Sequence, residues 1–151
     1  RLHLHSMPGR LEDWGAFVQQ AEAAHIDHIV CLASFAEIEE KSPGYAKAIQ
    51  DKQLNWNKID YPIQDFGVPT DRARFLDFVD SLAKRLTNGD TVLIHCAAGI
   101  GRTGTVATCV LQALGTERHE AIRLVKKAGS MPETESQEQL VAWHAEKCRQ
   151  V

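Results

Sequence analysis

Short apolar segments of strand length alternate along this chain with longer segments whose apolar residues recur at helical spacing. The patterns at 2–5, 29–32 and 91–94 are typical of β-strands, and Pro62 favours an extended conformation over 56–63. Helices are predicted over 11–24, 35–41, the residues after Pro43, a segment capped by Thr70 or Asp71 with an apolar stripe from Phe75 to Leu86, 102–114, 117–127 and 134–150. This alternation predicts an α/β fold in which helices flank a mostly parallel central sheet.

Composition narrows the class of protein further. The 151 residues, 44% hydrophobic and 25% charged, fit one globular domain over residues 1–151. No apolar run reaches the roughly 20 residues that cross a bilayer. A net charge of −3 gives no reason to expect nucleic-acid or membrane-surface binding, and the four cysteines form no CxxC pair that would indicate a zinc knuckle. We expect a monomeric, cytoplasmic domain and, because the chain opens at Arg1 inside a predicted strand, an upstream segment.

The segment from Ile94 to Gly104 lies between the clearest predicted strand and a helix, where α/β folds place ligands. Its three glycines permit backbone conformations in which successive N–H groups point at an anion, and the following helix adds its positive end. The planar guanidinium of Arg102 can hold two oxygens of a phosphate. The same field favours the thiolate form of Cys96, placed for in-line attack on phosphorus. The predicted phosphate-binding residues are Ala97, Ala98, Gly99, Ile100, Gly101 and Arg102.

This segment closely resembles the His-Cys-x-x-Gly-x-Gly-Arg-[Ser/Thr]-Gly loop of protein tyrosine phosphatases. The matching residues are His95, Cys96, Gly99, Gly101, Arg102, Thr103 and Gly104. A chain turn alone would need neither Cys96 nor Arg102, which disfavours a purely structural interpretation. The resemblance implies a phosphocysteine intermediate on Cys96, a Thr103 hydroxyl bonded to its sulfur, and a His95 that supports the loop without titrating. It implies no metal and no cofactor, since Arg102 and the loop amides supply the charge stabilisation.

A second segment, Tyr61 to Pro69, resembles the general-acid loop of the same family, in which Asp-Phe-Gly-Val-Pro follows Trp-Pro. A departing phosphoester oxygen carries negative charge in the transition state, and a positioned carboxylic acid neutralises it. Asp65 is the predicted acid. Asp60 is the less favoured candidate because it precedes Tyr61, and an Asx turn before Gly67 is the structural alternative for Asp65.

A third segment, residues 133–137, resembles the Gln-Thr-x-x-Gln segment of the family. In the family this segment positions the hydrolytic water. Glu133 replaces the first glutamine, so Gln137 is the predicted catalytic residue of this segment, with Gln139 as another candidate. Thr134 and Gln137 also form a capping box, which would explain the pair without a catalytic role. Both interpretations stay open.

Two further sets of residues are tied to the site by resemblance alone. Some relatives orient the loop arginine with a glutamate from the region of Glu37, Glu39 and Glu40, although a solvated helix face is the favoured interpretation here. Some relatives also protect the nucleophile with a disulfide from the region of Cys31. The pleat of its strand decides whether that thiol faces Cys96, and the sequence leaves this open.

The resemblance covers most of the chain, and its length matches the small dual-specificity branch of the family. We expect a phosphoprotein phosphatase that acts on phosphotyrosine and, depending on pocket depth, on phosphoserine and phosphothreonine. A rhodanese-like sulfurtransferase is one alternative, which would need neither Asp65 nor Thr103. A catalytically idle phosphate-binding module is another. A metal hydrolase built on His3 and His5 is a weaker one, because no further spaced ligands accompany the pair.

Overall fold

The computed structural model describes residues 1–150, which form a single parallel sheet covered by helices. In chain order its elements are β1 (Leu2–His5), α1 (Trp14–Ala23), β2 (His28–Cys31), α2 (Phe35–Lys41), α3 (Pro43–Gln50), β3 (Asn57–Asp60), α4 (Arg72–Thr87), β4 (Val92–His95), α5 (Gly101–Ala113), α6 (Arg118–Lys127) and α7 (Glu135–Arg149). The strand order is β1-β4-β2-β3, and every adjacent pair is parallel. The predicted α/β fold with a parallel central sheet is confirmed.

Both faces of the sheet are covered by helices and buried. Successive side chains of a strand point to opposite sides, so each central strand contributes to two cores. Val30 and Ile94 pack into one core with residues of α4, α5 and α7. Ile29 and Leu93 pack on the other face against Phe17 of α1. Strands buried on both faces read as continuous apolar runs, which is the pattern that marks β2 and β4 in the sequence.

Helix α5 is the central helix of the larger core and is buried on almost every side. Its polar residues are accommodated internally. The Thr105 hydroxyl donates to the Gly101 carbonyl and the Thr108 hydroxyl to the Gly104 carbonyl, each at 2.7 Å. Because these buried groups are satisfied within the helix, α5 can run through the core directly after β4. Within residues 1–150, no helix combines the length and apolar character needed to cross a membrane.

The helix predicted over 11–24 starts later than expected. It begins at Trp14, because the Asp13 carboxylate accepts the Gly15 backbone N–H at 3.1 Å and caps the first turn. Leu11, assigned by its spacing to the apolar face, is 74% exposed and lies before the helix. A capping aspartate is a more reliable start signal here than the first apolar residue in register.

Candidate active site

The residues that join β4 to α5 form a tight loop, called here the phosphate loop (96–102). Three of its carbonyl groups accept hydrogen bonds from segments outside the loop. The Ala97 carbonyl accepts the backbone N–H of Met7 at 2.9 Å and the Nη1 group of Arg10 at 3.2 Å. The loop is therefore tied on one side to the segment that follows β1.

The other side of the phosphate loop is tied to the segment between α6 and α7. The Ser130 hydroxyl donates to the Gly99 carbonyl, and the Met131 N–H donates to the Ile100 carbonyl at 3.2 Å. Gly99 has a φ of +78°, and a Cβ atom there would lie 2.5 Å from the His5 carbonyl oxygen. Only glycine fits, because the loop passes directly against the end of β1.

Outward carbonyls leave the amide groups free to line the loop. Among residues 1–150, the backbone N–H groups of Ala98, Gly99 and Ile100 donate to no protein acceptor. Helix α5 starts at the next residue, so its positive end adds to the same field. Unpaired amides at a helix N-terminus are an anion-binding arrangement, as the sequence predicts for this segment.

Cys96 lies at the start of the loop and is 2% exposed. Its Sγ accepts a hydrogen bond from the Thr103 hydroxyl at 3.1 Å, the contact that the family resemblance implies. Cys31, by contrast, packs on the α3 side of the sheet, and its thiol donates to the Ala33 carbonyl at 3.3 Å. Burial raises the pKa of Cys31 to about 11. The four cysteines of the chain are free thiols, so the open question of a Cys31–Cys96 disulfide is answered in the negative for this structure.

His95 supports the loop from within the sheet. Its Nδ1 donates to the Cys96 carbonyl at 3.0 Å, so its Nε2 accepts the Tyr45 hydroxyl at 3.0 Å. Burial lowers the pKa of His95 to about 4, which keeps the ring neutral near pH 7. This is the geometry that a supporting, non-titrating role requires. Tyr45 was missed by the sequence analysis, since no motif connects a tyrosine in α3 to this histidine.

Arg102 is 2% exposed and is clamped by a glutamate. Its Nη1 and Nη2 donate to the two carboxylate oxygens of Glu37 at 2.8 and 3.0 Å, and Nη1 also donates to the Ile63 carbonyl at 2.9 Å. The hydrogen bond from Arg102 lowers the pKa of Glu37. The favoured interpretation of this region as a solvated face is therefore wrong for Glu37, although it describes the exposed Glu39 and Glu40.

The opposite edge of the guanidinium is open. Arg102 Nε is buried without a partner among residues 1–150, and Nη2 lies 3.4 Å from Asp65 Oδ1. Burial is the largest single effect and opposes the charge of Arg102, but the hydrogen bond to Glu37 and the attraction of the surrounding acidic groups together outweigh it, so the pKa of Arg102 is raised. Nε and Nη2 are therefore the pair available to two oxygens of a bound phosphoryl group.

Asp65 lies on an exposed segment, called here the acid loop (64–69). Its side chain is 58% exposed, and Oδ1 accepts the Phe66 N–H at 3.0 Å. Phe66 is 60% exposed and adopts a φ of +60°, which is uncommon for a residue other than glycine. The rival acid, Asp60, pairs with Lys58 on β3 instead. Of the two aspartates, Asp65 is the one within salt-bridge distance of Arg102.

Gln137 joins the acid loop to the start of α7 and is fully buried. Its Nε2 donates to the Gly67 carbonyl at 3.2 Å, and its Oε1 accepts the Glu133 N–H at 2.8 Å. Its own N–H donates to the Thr134 hydroxyl at 3.2 Å, so the capping interaction is present. Gln139, the other candidate, instead donates to Glu135 on the helix surface.

Glu133 occupies the remaining edge of the phosphate loop. A Cβ atom at Gly101 would collide with its carboxylate, so this side chain lies directly against the start of α5. The exchange of the family's first glutamine for Glu133 thus places a negative charge at the rim of the loop. The exposed carboxylate has no ion-pair partner within residues 1–150.

Cys96, Arg102 and Asp65 lie close together at the end of a central strand of a parallel sheet, where the phosphate loop connects β4 to the buried helix α5. Such a site on such a fold defines the class of cysteine-based tyrosine and dual-specificity phosphatase domains. The family described as "PTP-SAK: Swiss Army Knife protein, DSP-PTPase phosphatase domain" matches residues 1–151. The chain belongs to this family.

Known proteins agree with this assignment. Tyrosine-protein phosphatase 1 of Caenorhabditis elegans is 31% identical over 93 residues, which cover 61% of this chain and 8% of that protein. A relative from Invertebrate iridescent virus 3 is 40% identical over 78 residues, covering 49% of this chain and 32% of its own length. The chain thus spans less than a third of the length of either protein. The crystal structure of a kinase associated phosphatase has the same fold, with a TM-score of 0.81, 22% identity, and coverage of 98% of this chain and 87% of that one.

Proposed function

We propose that this domain hydrolyses phosphotyrosine in a phosphorylated protein or peptide. If the pocket is shallow enough for their shorter side chains to reach Cys96, phosphoserine and phosphothreonine are substrates as well. The observation that carries the proposal is the open edge of Arg102. The guanidinium is fixed by Glu37 on one edge, while the other edge lies beside Asp65 and presents two N–H groups to an anion. Together with the free amides of the phosphate loop it provides a preorganised site for a phosphoryl dianion.

In the first step the Cys96 thiolate attacks phosphorus. An S–P bond forms, the bond between phosphorus and the ester oxygen breaks, and that oxygen takes a proton from Asp65. The position of Asp65 supports this role, because a carboxylate oxygen 3.4 Å from Arg102 Nη2 adjoins any phosphoryl group held by the same guanidinium. Charge on the equatorial oxygens is stabilised by Arg102 and by the loop amides. The proposed reaction uses no metal and no cofactor.

In the second step water attacks the phosphocysteine. Asp65 takes the proton of the water, the S–P bond breaks, and inorganic phosphate leaves with Cys96 restored as a thiolate. The Thr103 hydroxyl, 3.1 Å from Sγ, stabilises the departing sulfur. Gln137 holds the acid loop in place through the Gly67 carbonyl, so we assign it a positioning role for Asp65 and for the attacking water.

The sulfurtransferase alternative is less well supported, because it gives no role to the contact between Asp65 and Arg102 or to the bond between Thr103 and Cys96. It predicts transfer of sulfur from thiosulfate to cyanide, which the phosphatase proposal does not. A single assay with thiosulfate therefore separates the two. Sulfur transfer at a rate comparable to phosphate release would overturn the phosphatase assignment.

The deciding experiment substitutes the nucleophile. Cys96→Ser should lower kcat on a phosphotyrosine peptide by more than about 10⁴-fold, because a serine hydroxyl at this site lacks the nucleophilicity of a thiolate. Binding of the same peptide, measured by titration calorimetry, should persist because Arg102 and the loop amides are intact. Cys148→Ser is the matched control, since Cys148 lies in α7 and is only partly buried. Full turnover by Cys96→Ser would refute the proposal.

A further inference from the structure

The segment that follows β1, residues 6–10, is called here the rim loop, and it is built to a fixed shape. Gly9 adopts a φ of +79°, and a Cβ atom there would lie 2.6 Å from Ser42 Oγ. Ser42 is 1% exposed, and its hydroxyl donates to the Pro8 carbonyl at 2.7 Å. A left-handed glycine pressed against a buried serine fixes the course of the chain at this point.

The rim loop is also fixed to the phosphate loop. Met7 is fully buried, and its N–H donates to the Ala97 carbonyl at 2.9 Å. The N–H of Arg10 then turns back to the Met7 carbonyl at 3.0 Å. These bonds place the Arg10 backbone next to the phosphate loop, so its side chain starts within reach of the loop.

The Arg10 guanidinium reaches Ala97 and makes one hydrogen bond there. Nη1 donates to the Ala97 carbonyl at 3.2 Å, and the other N–H groups of the fork have no acceptor among residues 1–150. No carboxylate in the described chain lies within salt-bridge distance of Arg10. A carbonyl group carries no charge and does not neutralise a guanidinium. Arg10 is exposed, so its positive charge faces solvent beside the Ala97 end of the phosphate loop.

The opposite edge carries the opposite charge. Glu133 lies against Gly101, at the far end of the phosphate loop from Ala97. A substrate that binds to the phosphate loop therefore meets a cation on the Ala97 side and a carboxylate on the Gly101 side. An additional negative group is favoured near Arg10 and disfavoured near Glu133.

We propose that Arg10 is a specificity residue that binds a second anionic group of the substrate, beside the phosphorylated side chain. The inference rests on the proposed phosphatase function and deepens it. The preferred substrate is a phosphopeptide with an aspartate or glutamate next to the phosphorylated residue. Since a second phosphoryl group presents the same chemistry, a doubly phosphorylated peptide is the other source of such an anion.

The test compares three substrates on the wild-type protein, Arg10→Gln and Arg10→Lys. One phosphotyrosine peptide carries acidic flanking residues, a second carries their amide isosteres, and p-nitrophenyl phosphate has no flanking group. The wild type should prefer the acidic peptide by about fivefold in kcat/KM, the upper range for an exposed charge pair, and the preference should fall as salt is raised. Arg10→Gln should abolish this ratio, whereas Arg10→Lys should keep part of it. A peptide with an adjacent second phosphate should follow the same pattern.

Several results would overturn the inference. Equal loss by Arg10→Gln on all three substrates would show that Arg10 only anchors the phosphate loop. A wild type that does not distinguish the two peptides would remove the specificity altogether. If Arg10→Gln does not fold, Arg10→Lys is the measurement: it should keep a salt-dependent part of the preference, and a preference equal to that of the wild type at every salt concentration would show that the guanidinium is not the group that recognises the anion. Failure of the wild type to hydrolyse p-nitrophenyl phosphate would instead contradict the proposed function.

Discussion

The phosphate loop and the acid loop meet at Arg102, yet they are built in opposite ways. In the phosphate loop Cys96 is 2% exposed and the carbonyls are bonded to neighbouring segments on two sides. In the acid loop the Asp65 side chain is 58% exposed. Phe66, the next residue, is 60% exposed. In the proposed mechanism, binding of the dianion thus falls to a buried, tightly bonded element, and proton transfer to an exposed element with fewer contacts. The two functions should therefore be separable by mutation.

The largest separable effect is expected at Asp65. Asp65→Asn should lower kcat by about 10²- to 10⁴-fold, because the leaving oxygen then departs without a proton. Affinity for phosphopeptide should change little, since the phosphate loop is intact. The loss should be smallest for aryl phosphates whose phenols are most acidic, because these need least protonation. A series of substituted aryl phosphates measures this dependence.

Asp60→Asn is the matched control for this prediction, because it removes a nearby carboxylate that pairs with Lys58 rather than Arg102. It should leave kcat and its dependence on the leaving group unchanged. Uniform loss across the aryl series in Asp65→Asn would show that Asp65 acts elsewhere in the cycle. Comparable loss in Asp60→Asn would reassign the acid.

A second prediction concerns His95, the buried residue that supports the phosphate loop. We expect it to make the free energy of unfolding depend on pH. Burial lowers the pKa of folded His95 to about 4, and histidine in an unfolded chain titrates near 6.5. Between these values the unfolded chain binds a proton that the folded chain does not, so the free energy of unfolding rises with pH and levels off above about 6.5. Between pH 5 and pH 7 the gain from this group is about 2 kcal/mol, or roughly twentyfold in the folding equilibrium.

Urea denaturation at both pH values measures the effect, and His95→Gln isolates it. Burial also lowers the pKa of His144, so the wild-type slope alone sums several groups. The variant should be less stable than the wild type at pH 7 but should lose less stability on going to pH 5. His119→Gln, at an exposed position, should keep the full wild-type slope. Identical slopes for His95→Gln and the wild type would contradict a buried neutral ring behind the loop.

The sequence predicted the fold, and it placed the proposed reacting groups close together, because both depend on local patterns. Apolar runs identify strands buried on two faces, and one continuous segment carries Cys96, the glycines and Arg102 together. Asp65 is the predicted acid for the same reason, since its neighbours resemble a known loop. Boundaries were less certain: the first helix starts at Trp14, where a capping aspartate decides, rather than at Leu11.

Contacts between distant segments could not be predicted in the same way. Tyr45 and His95 are 50 residues apart, and Arg10 and Ala97 are 87 apart, so no spacing rule connects either pair. Glu37 shows the difficulty most clearly. It stands among exposed glutamates on a short helix, and only the packing of α2, whose Ile38 is buried in one cluster with Ala97 of the phosphate loop, decides which of them turns inward. The identity of that carboxylate is a property of the tertiary structure.

The smallest of these effects is expected at Glu37, which binds the edge of Arg102 that faces away from Asp65. Glu37→Gln exchanges a carboxylate that binds both Arg102 nitrogens for an amide that can accept from only one, so kcat/KM should fall by about tenfold, the worth of a charge-assisted hydrogen bond. Both affinity for phosphopeptide and kcat should decline, because in the proposed mechanism Arg102 contacts the phosphoryl group throughout the reaction. Glu40→Gln, an exposed neighbour, should have no effect. If Glu37→Gln retains wild-type kcat/KM, the Ile63 carbonyl alone is enough to hold the guanidinium. Glu37 would then not be part of the rigid structure that binds phosphate.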